Sequence, residues 1–199
     1  PDVNSIHSIP ELLNSQGLDK QITEKLRLKS KPANLNRWKK VSKLEKNRKG
    51  ITKIALVGKY TELADSYKSV NEALVHAGIH NKTEVEIEYF DSQNFNHGVK
   101  KFKPQGILIP GGFGGRGIDG MINVAKFART KNIPFFGICL GMQVAVIEFA
   151  RNVLKISANS TEFEKTTKHP VIALITEWMD KKGLTQIRSE NSDKGGTMR

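Results

Sequence analysis

The chain is 199 residues long with 38 % hydrophobic residues, enough for one domain of common size plus a flanking segment. It carries 32 Lys and Arg against 20 Asp and Glu, a net +12, but the lysines crowd into residues 20–53 without aromatic interleaving. That pattern reads as a solvated surface and linker, so no nucleic-acid partner is expected. No apolar run approaches the roughly 18 residues of a membrane span, the polar start does not read as a signal peptide, and one cysteine excludes an intramolecular disulfide. A cytoplasmic protein with no membrane partner is expected.

Residues 1–30 read as a short helical piece. Pro10 suits a first helical turn, Leu12, Leu13, Ile22 and Leu26 keep helical spacing, and Gly17 interrupts it. The polar, basic stretch 29–50, with the single aromatic Trp38, reads as a linker holding an amphipathic helix over 38–44. This divides the chain into a leading piece (1–30), a basic linker (31–50) and a main domain (51–199).

Within the main domain, ITKIALVG predicts a strand over 51–58 ended by Gly58. A helix follows over 65–77, with Tyr67, Val70, Leu74 and Ala77 on one face and Gly78 as its stop. EVEIEYFD alternates as a second strand, 84–91. GILIPGG, 106–112, is apolar on both faces and predicts a central parallel strand. A helix over 120–129 leads to a fourth strand in IPFFGICLG, 133–141, which enters a turn; a helix over 142–153 and a late strand over 171–175 complete the series. Residues 192–199 read as a loop. Alternation of this kind predicts a doubly wound, mostly parallel α/β fold.

The sharpest motif is Gly137-Ile138-Cys139-Leu140-Gly141, of the form G-x-nucleophile-x-G between a buried strand and a helix. It is a nucleophile elbow with Cys in the place of Ser. The turn is too tight for side chains on its flanks, hence the glycines. It lifts the sulfur to the C-terminal edge of the sheet beside a helix N-terminus, where free amides and the dipole favour the thiolate. The bland alternative is a small core residue in a glycine-rich turn.

A second signal is Pro110-Gly111-Gly112-Phe113-Gly114-Gly115. It lacks GK[ST] and opens no helix with G-x-G-x-x-G, so the nucleotide-loop readings fail. An oxyanion hole remains: if its strand neighbours the elbow strand, Gly111 or Gly112 faces Cys139, with the Leu140 amide as second donor.

PGGFG followed by GICLGMQ and ANSTEF resembles the class I glutamine amidotransferase family, and within it the CTP synthases. The segments VGKY (57–60), SYKSVNEAL (66–74), PGGFGGRG (110–117), GICLGMQVAVIEFARNV (137–153), ANSTEF (158–163) and HPVIALITEW (169–178) carry the resemblance. The leading SIPELLNSQGLD (8–19) resembles the tail of an amidoligase domain.

The resemblance implies a ligase that makes CTP from UTP, ATP and glutamine, with GTP as allosteric activator and CTP as feedback ligand. It implies Mg2+ and ATP held by the amidoligase domain, no metal on this chain, and a homotetramer. Carried onto this chain, it makes Cys139 the nucleophile and Gly111 the oxyanion-hole position. Gly112, Leu140, Gly141, Met142, Gln143 and Glu162 become positions holding glutamine. Asp2 and Val3 match an edge of the ATP pocket, and Arg116, Gly117 and Asp119 a lid linked to GTP activation. The family's triad His and Glu, and a substrate-binding Arg, match nothing here. The chain is therefore expected to be a piece of a longer enzyme, with little or no glutaminase activity by itself.

On its own residues, Glu162 reads as a surface carboxylate and Gln143 as a helix-surface amide. His169, before Pro170 at a strand start, reads as a structural histidine, and His7, His76, His80 and His97 sit in no catalytic setting. The alternatives are another cysteine amidase of this fold, such as a γ-glutamyl hydrolase, or a non-catalytic regulatory module.

Overall fold

The computed structural model describes residues 3, 5–59, 64–173, 175, 177–179 and 183–187. Its centre is a parallel sheet of β1 (Ile51–Gly58), β2 (Glu84–Asp91), β3 (Gly106–Ile109) and β4 (Phe135–Gly137) in the order β2-β1-β3-β4. The register sets Ile54 against both Ile87 and Gly106, and Ile109 against Gly137. The inner strands are covered on both faces, so Ala55, Leu56, Val57 and Ile109 have no exposed surface. β2 lies at the edge and alternates, with Glu84, Glu86 and Glu88 exposed.

The side-chain period of two sorts these strands between two cores. Ala55, Val57, Ile107 and Ile109 pack with α5 (Phe95–Phe102), α6 (Ile118–Thr130) and α7 (Leu140–Asn152). Leu56 and Leu108 pack on the opposite face with Tyr67 of the 3-10 turn Ala64–Tyr67 and with Val70 and Leu74 of α4 (Lys68–Asn81). Right-handed crossovers account for this. Stepping back from β1 to β2 puts α4 on one face, and stepping forward to β3 and β4 puts α5 and α6 on the other. The domain is a doubly wound, mostly parallel α/β fold, as the alternation of elements predicts.

Several boundaries differ from the sequence reading. The helix expected to stop at Gly78 runs on to Asn81 and ends at Lys82 in a left-handed conformation (φ 58°). Gly78 is instead a packing position: a Cβ there would lie 2.7 Å from Val85 Cγ2 and 2.8 Å from the Thr83 carbonyl. β3 ends at Ile109, three residues early, because the glycines after it leave the ladder. α5 was not foreseen. It is one short helix with Gly98 inside it, although Phe95, Val99 and Phe102 are spaced for a buried face.

Beyond α7, β5 (Ala158–Ser160) pairs in parallel with β6 (His169–Ile172), and β7 (Glu177–Met179) with β8 (Thr185–Ile187) in an unforeseen antiparallel hairpin. The late strand expected over 171–175 thus begins earlier and ends at Ile172; Leu174 and the loop expected over 192–199 lie outside the described residues.

The leading segment folds as a 3-10 turn (Ile6–Ser8), α1 (Ile9–Ser15) and α2 (Leu18–Lys25), with Gly17 at φ 73° between the helices. The linker helix is longer than expected, α3 (Asn36–Lys46). These pieces meet the main domain through His7, whose Nε2 lies 3.1 Å from His76 Nε2, while Ser42 Oγ donates to the His7 carbonyl. Among the described residues no helix is long and apolar enough to cross a membrane.

Candidate active site

β4 ends at Gly137 and α7 begins at Leu140, so the chain must reverse within two residues. It does so with Cys139 at φ 51°, ψ −103°, a positive φ that only glycine adopts without strain. The turn is fixed by main-chain bonds: Ile138 N–H donates to Ile109 O (2.9 Å), Gly141 N–H to Ile138 O (2.9 Å) and Gln143 N–H to Cys139 O (3.1 Å). A Cβ on Gly137 would overlap the Gly141 main chain, and one on Gly141 the Ile109 carbonyl. Both glycines are therefore demanded by contact. The result is an exposed thiol at the N-terminus of α7, where first-turn amides leave an anion-stabilising site.

β3 and β4 are parallel neighbours, so the loops after both emerge at one edge. A Cβ on Gly111 would lie 3.6 Å from Cys139 Cβ, and one on Gly112 3.1 Å from Leu140 Cδ2. The glycine loop thus lies against the elbow with its main chain facing the cysteine. Of the glutamine-holding positions expected from sequence, Leu140 has its side chain buried, so only its N–H can serve a ligand. Gly141 is buried, Met142 exposed and Gln143 half-buried in the first turn of α7. Glu162, past β5, reaches the glycine loop and accepts from Gly114 N–H at 3.1 Å.

The structure also gathers a residue that the sequence reading passed over. Lys59, directly after β1, is 9 % exposed and donates from Nζ to the carbonyls of Phe113 (3.0 Å) and Gly114 (2.6 Å). Burial, and secondarily the Arg116 charge, lower its pKa from the usual lysine value, while Glu162 opposes them. A cation following an apolar strand, at the edge where the glycine loop emerges, was the signal available in VGKY.

Arg116 donates to the Lys59 carbonyl (2.9 Å), Gly117 caps α6 at φ 72°, and Asp119 in its first turn lies 3.9 Å from Arg151. Asp2 lies outside the described residues. Val3 is half-buried near the first turn, and no hydrogen bond ties it to the Cys139 edge. His169 opens β6 and is exposed. Among the described residues no hydrogen bond reaches Cys139 Sγ, and no group of three His, Cys, Asp or Glu is placed to hold a metal.

A family model described as glutamine amidotransferase class-I matches residues 62–190, more than half of the chain. The chain belongs to the class I glutamine amidotransferases. A solved structure similar to this amidotransferase is that of Trypanosoma brucei CTPS, the glutaminase domain with bound acivicin. Identity is 40 % and the TM-score 0.56, over 66 % of this chain and 53 % of that one. The amidotransferase thus spans about half the length of the chain it resembles. The matched region takes in the elbow, the glycine loop and Glu162.

Proposed function

We propose that this amidotransferase domain hydrolyses glutamine to supply ammonia for the ATP-dependent amination of UTP to CTP. The observation that carries the reading is the exposed Cys139 at the α7 N-terminus with the Gly111 main chain against it. The 40 % identity to a CTPS glutaminase domain directs it toward CTP formation.

Sγ of Cys139 attacks the γ-carboxamide carbon of glutamine. The oxygen becomes negative and is met by main-chain N–H groups at Gly111 and Leu140, a contribution of about 3–4 kcal/mol per donor in comparable sites. Collapse breaks the C–N bond and ammonia leaves with a proton. Water then cleaves the thioester, giving glutamate and the free thiol. Gly112, the first turn of α7 and Gln143 shape the pocket, and Glu162 attracts the substrate's ammonium group. The proton for ammonia is supplied by a general acid, the role the resemblance gives to the family's triad His. Without it the step loses about 10²–10⁴-fold.

ATP and Mg2+ would be held by the amidoligase domain that the resemblance implies, with Val3 offering an aliphatic side chain at the edge of that pocket. Arg116 and Gly117 border a cavity of about 60 Å³; guanine nucleotide, CTP feedback and tetramer formation rest on the family pattern.

The test uses the protein as its gene encodes it. With UTP, ATP, Mg2+ and glutamine, CTP forms, and acivicin, a glutamine analogue, labels Cys139 alone in a reaction that excess glutamine blocks. Glutamate without CTP would overturn the UTP assignment; acivicin adducts away from Cys139 would overturn the amidase as well.

A further inference from the structure

We propose that Lys59 is a positioning residue of the amidase reaction, one that ties down the glycine loop carrying the main-chain groups opposite Cys139. The proposal rests on the reading of Cys139 as a glutamine-cleaving nucleophile.

The loop has little else to hold it. Residues 110–113 belong to no helix or strand, and Gly111, Phe113, Gly114 and Gly115 are all exposed. Glycines lose the most conformational freedom on ordering, so a loop with four of them between 111 and 115 is costly to fix. Among the described residues its main chain is held within the loop by one long bond, Ile118 N–H to Gly115 O at 3.4 Å. Side chains supply the rest. β1 is the neighbour of β3 in the sheet, so the residue after β1 emerges beside the loop after β3. That residue is Lys59, and its ammonium takes two consecutive loop carbonyls, Phe113 and Gly114. Glu162 holds the Gly114 N–H from the other side, and Arg116 returns a bond to the Lys59 carbonyl. The loop is gripped one residue beyond Gly112, the glycine packed on Leu140.

Burying an ammonium group is unfavourable, and its lowered pKa records that cost. A neutral, apolar side chain would be easier to bury after β1. What lysine adds is two charge-assisted hydrogen bonds to main-chain oxygens that water would otherwise solvate. Lys59 touches no reacting atom; it acts through where the Gly111 and Gly112 amides stand. Catalysis of this type is sensitive to such placement, a shift near 1 Å costing on the order of 10²-fold.

The test compares two electrophiles on the full-length protein, as its gene encodes it, and on its Lys59→Met variant. Iodoacetamide needs only an accessible thiolate at Cys139; acivicin needs the loop in place around a bound glutamine analogue. The expected result is unchanged iodoacetamide alkylation with acivicin labelling slowed by about 10–100-fold, mostly in its maximal rate rather than its half-saturating concentration. Lys59→Gln, which keeps one donor to the loop, gives an intermediate rate and serves if the methionine variant does not fold. Labelling by acivicin at the parental rate in either folded variant overturns the Lys59 assignment and leaves the amidase reading intact. A full-length parental protein that takes iodoacetamide but not acivicin overturns both.

Discussion

Gly141 lies directly against the carbonyl of Ile109, so that any Cβ at this position would overlap that oxygen. The contact joins the first turn of α7 to the end of β3, and so fixes the distance between the elbow and the glycine loop that follows Ile109. Ile138 N–H donates to the same carbonyl, at 2.9 Å. Gly141→Ala therefore acts on stability and on chemistry together. Neither atom is a flexible side-chain end, so the main chain must move, at a cost of about 1–3 kcal/mol or more. At about 2–4 °C per kcal/mol for a chain of this size, calorimetry should record a clear fall in melting temperature. Acivicin labelling of Cys139 should fall further than the loss of folded protein explains.

Cys139 provides the opposite case. Its φ of 51° and ψ of −103° strain a residue with a Cβ but suit glycine. The strain is of order 1–3 kcal/mol, partly offset in a glycine variant by about 0.5–1 kcal/mol of added chain entropy. Cys139→Gly should then raise the melting temperature by a few degrees while abolishing labelling. Cys139→Ala, which keeps the Cβ, should abolish labelling with no such gain. Equal melting temperatures for the two variants would show that the elbow stores no strain.

The pH dependence of Lys59 follows from its lowered pKa. In the unfolded chain the lysine titrates near its ordinary value of 10.5. Below the folded value both states hold the proton and stability from this group is flat. Between the folded value and 10.5 the unfolded state binds more protons, so stability rises with pH. The contribution is thus present above 10.5 and lost as pH falls through the folded value. Urea denaturation of the parent and of Lys59→Met across this alkaline window should show the parent gaining relative to the variant. Acivicin labelling of the parent relative to Lys59→Met should move the other way, since a neutral amine holds the Phe113 and Gly114 carbonyls less firmly.

How much of this was legible in the sequence depended on the range of the interaction. The order of elements in the main domain follows from local patterns: apolar runs ended by glycine, and helical spacing between them. The elbow was legible because a strand–turn–helix reversal needs glycines at fixed offsets from the nucleophile. Gly78 was misread because a glycine near a helix end carries the same local signal whether it stops the chain or makes room for Val85 and Thr83. α5 escaped because eight residues with a glycine inside give too few turns to establish a period. Lys59 has no local signature of its contacts, since its partners Phe113 and Gly114 are more than fifty residues away and meet it only through the β1–β3 pairing. Glu162 was singled out through the family pattern; its bond to Gly114 has no counterpart in local spacing.

The last prediction concerns the two helices that carry the site. Glu148 of α7 is 3 % exposed, and Arg129 of α6 clamps it with Nε at 3.0 Å from Oε2 and an η nitrogen at 2.7 Å from Oε1. The hydrogen bonds to Glu148 raise the arginine's pKa above its ordinary value. Removing one partner strands a charge, whereas removing both does not. Arg129→Met should lower the melting temperature markedly, because the Glu148 carboxylate then lies buried beside the Ile147 and Ala150 positions without its partner. Adding Glu148→Leu to that variant should recover most of the loss, because two apolar side chains can pack between α6 and α7. A double-mutant cycle read by thermal denaturation decides it: additive losses from the two substitutions would mean that the clamp contributes nothing as a pair, and that α6 and α7 are held by their apolar faces alone.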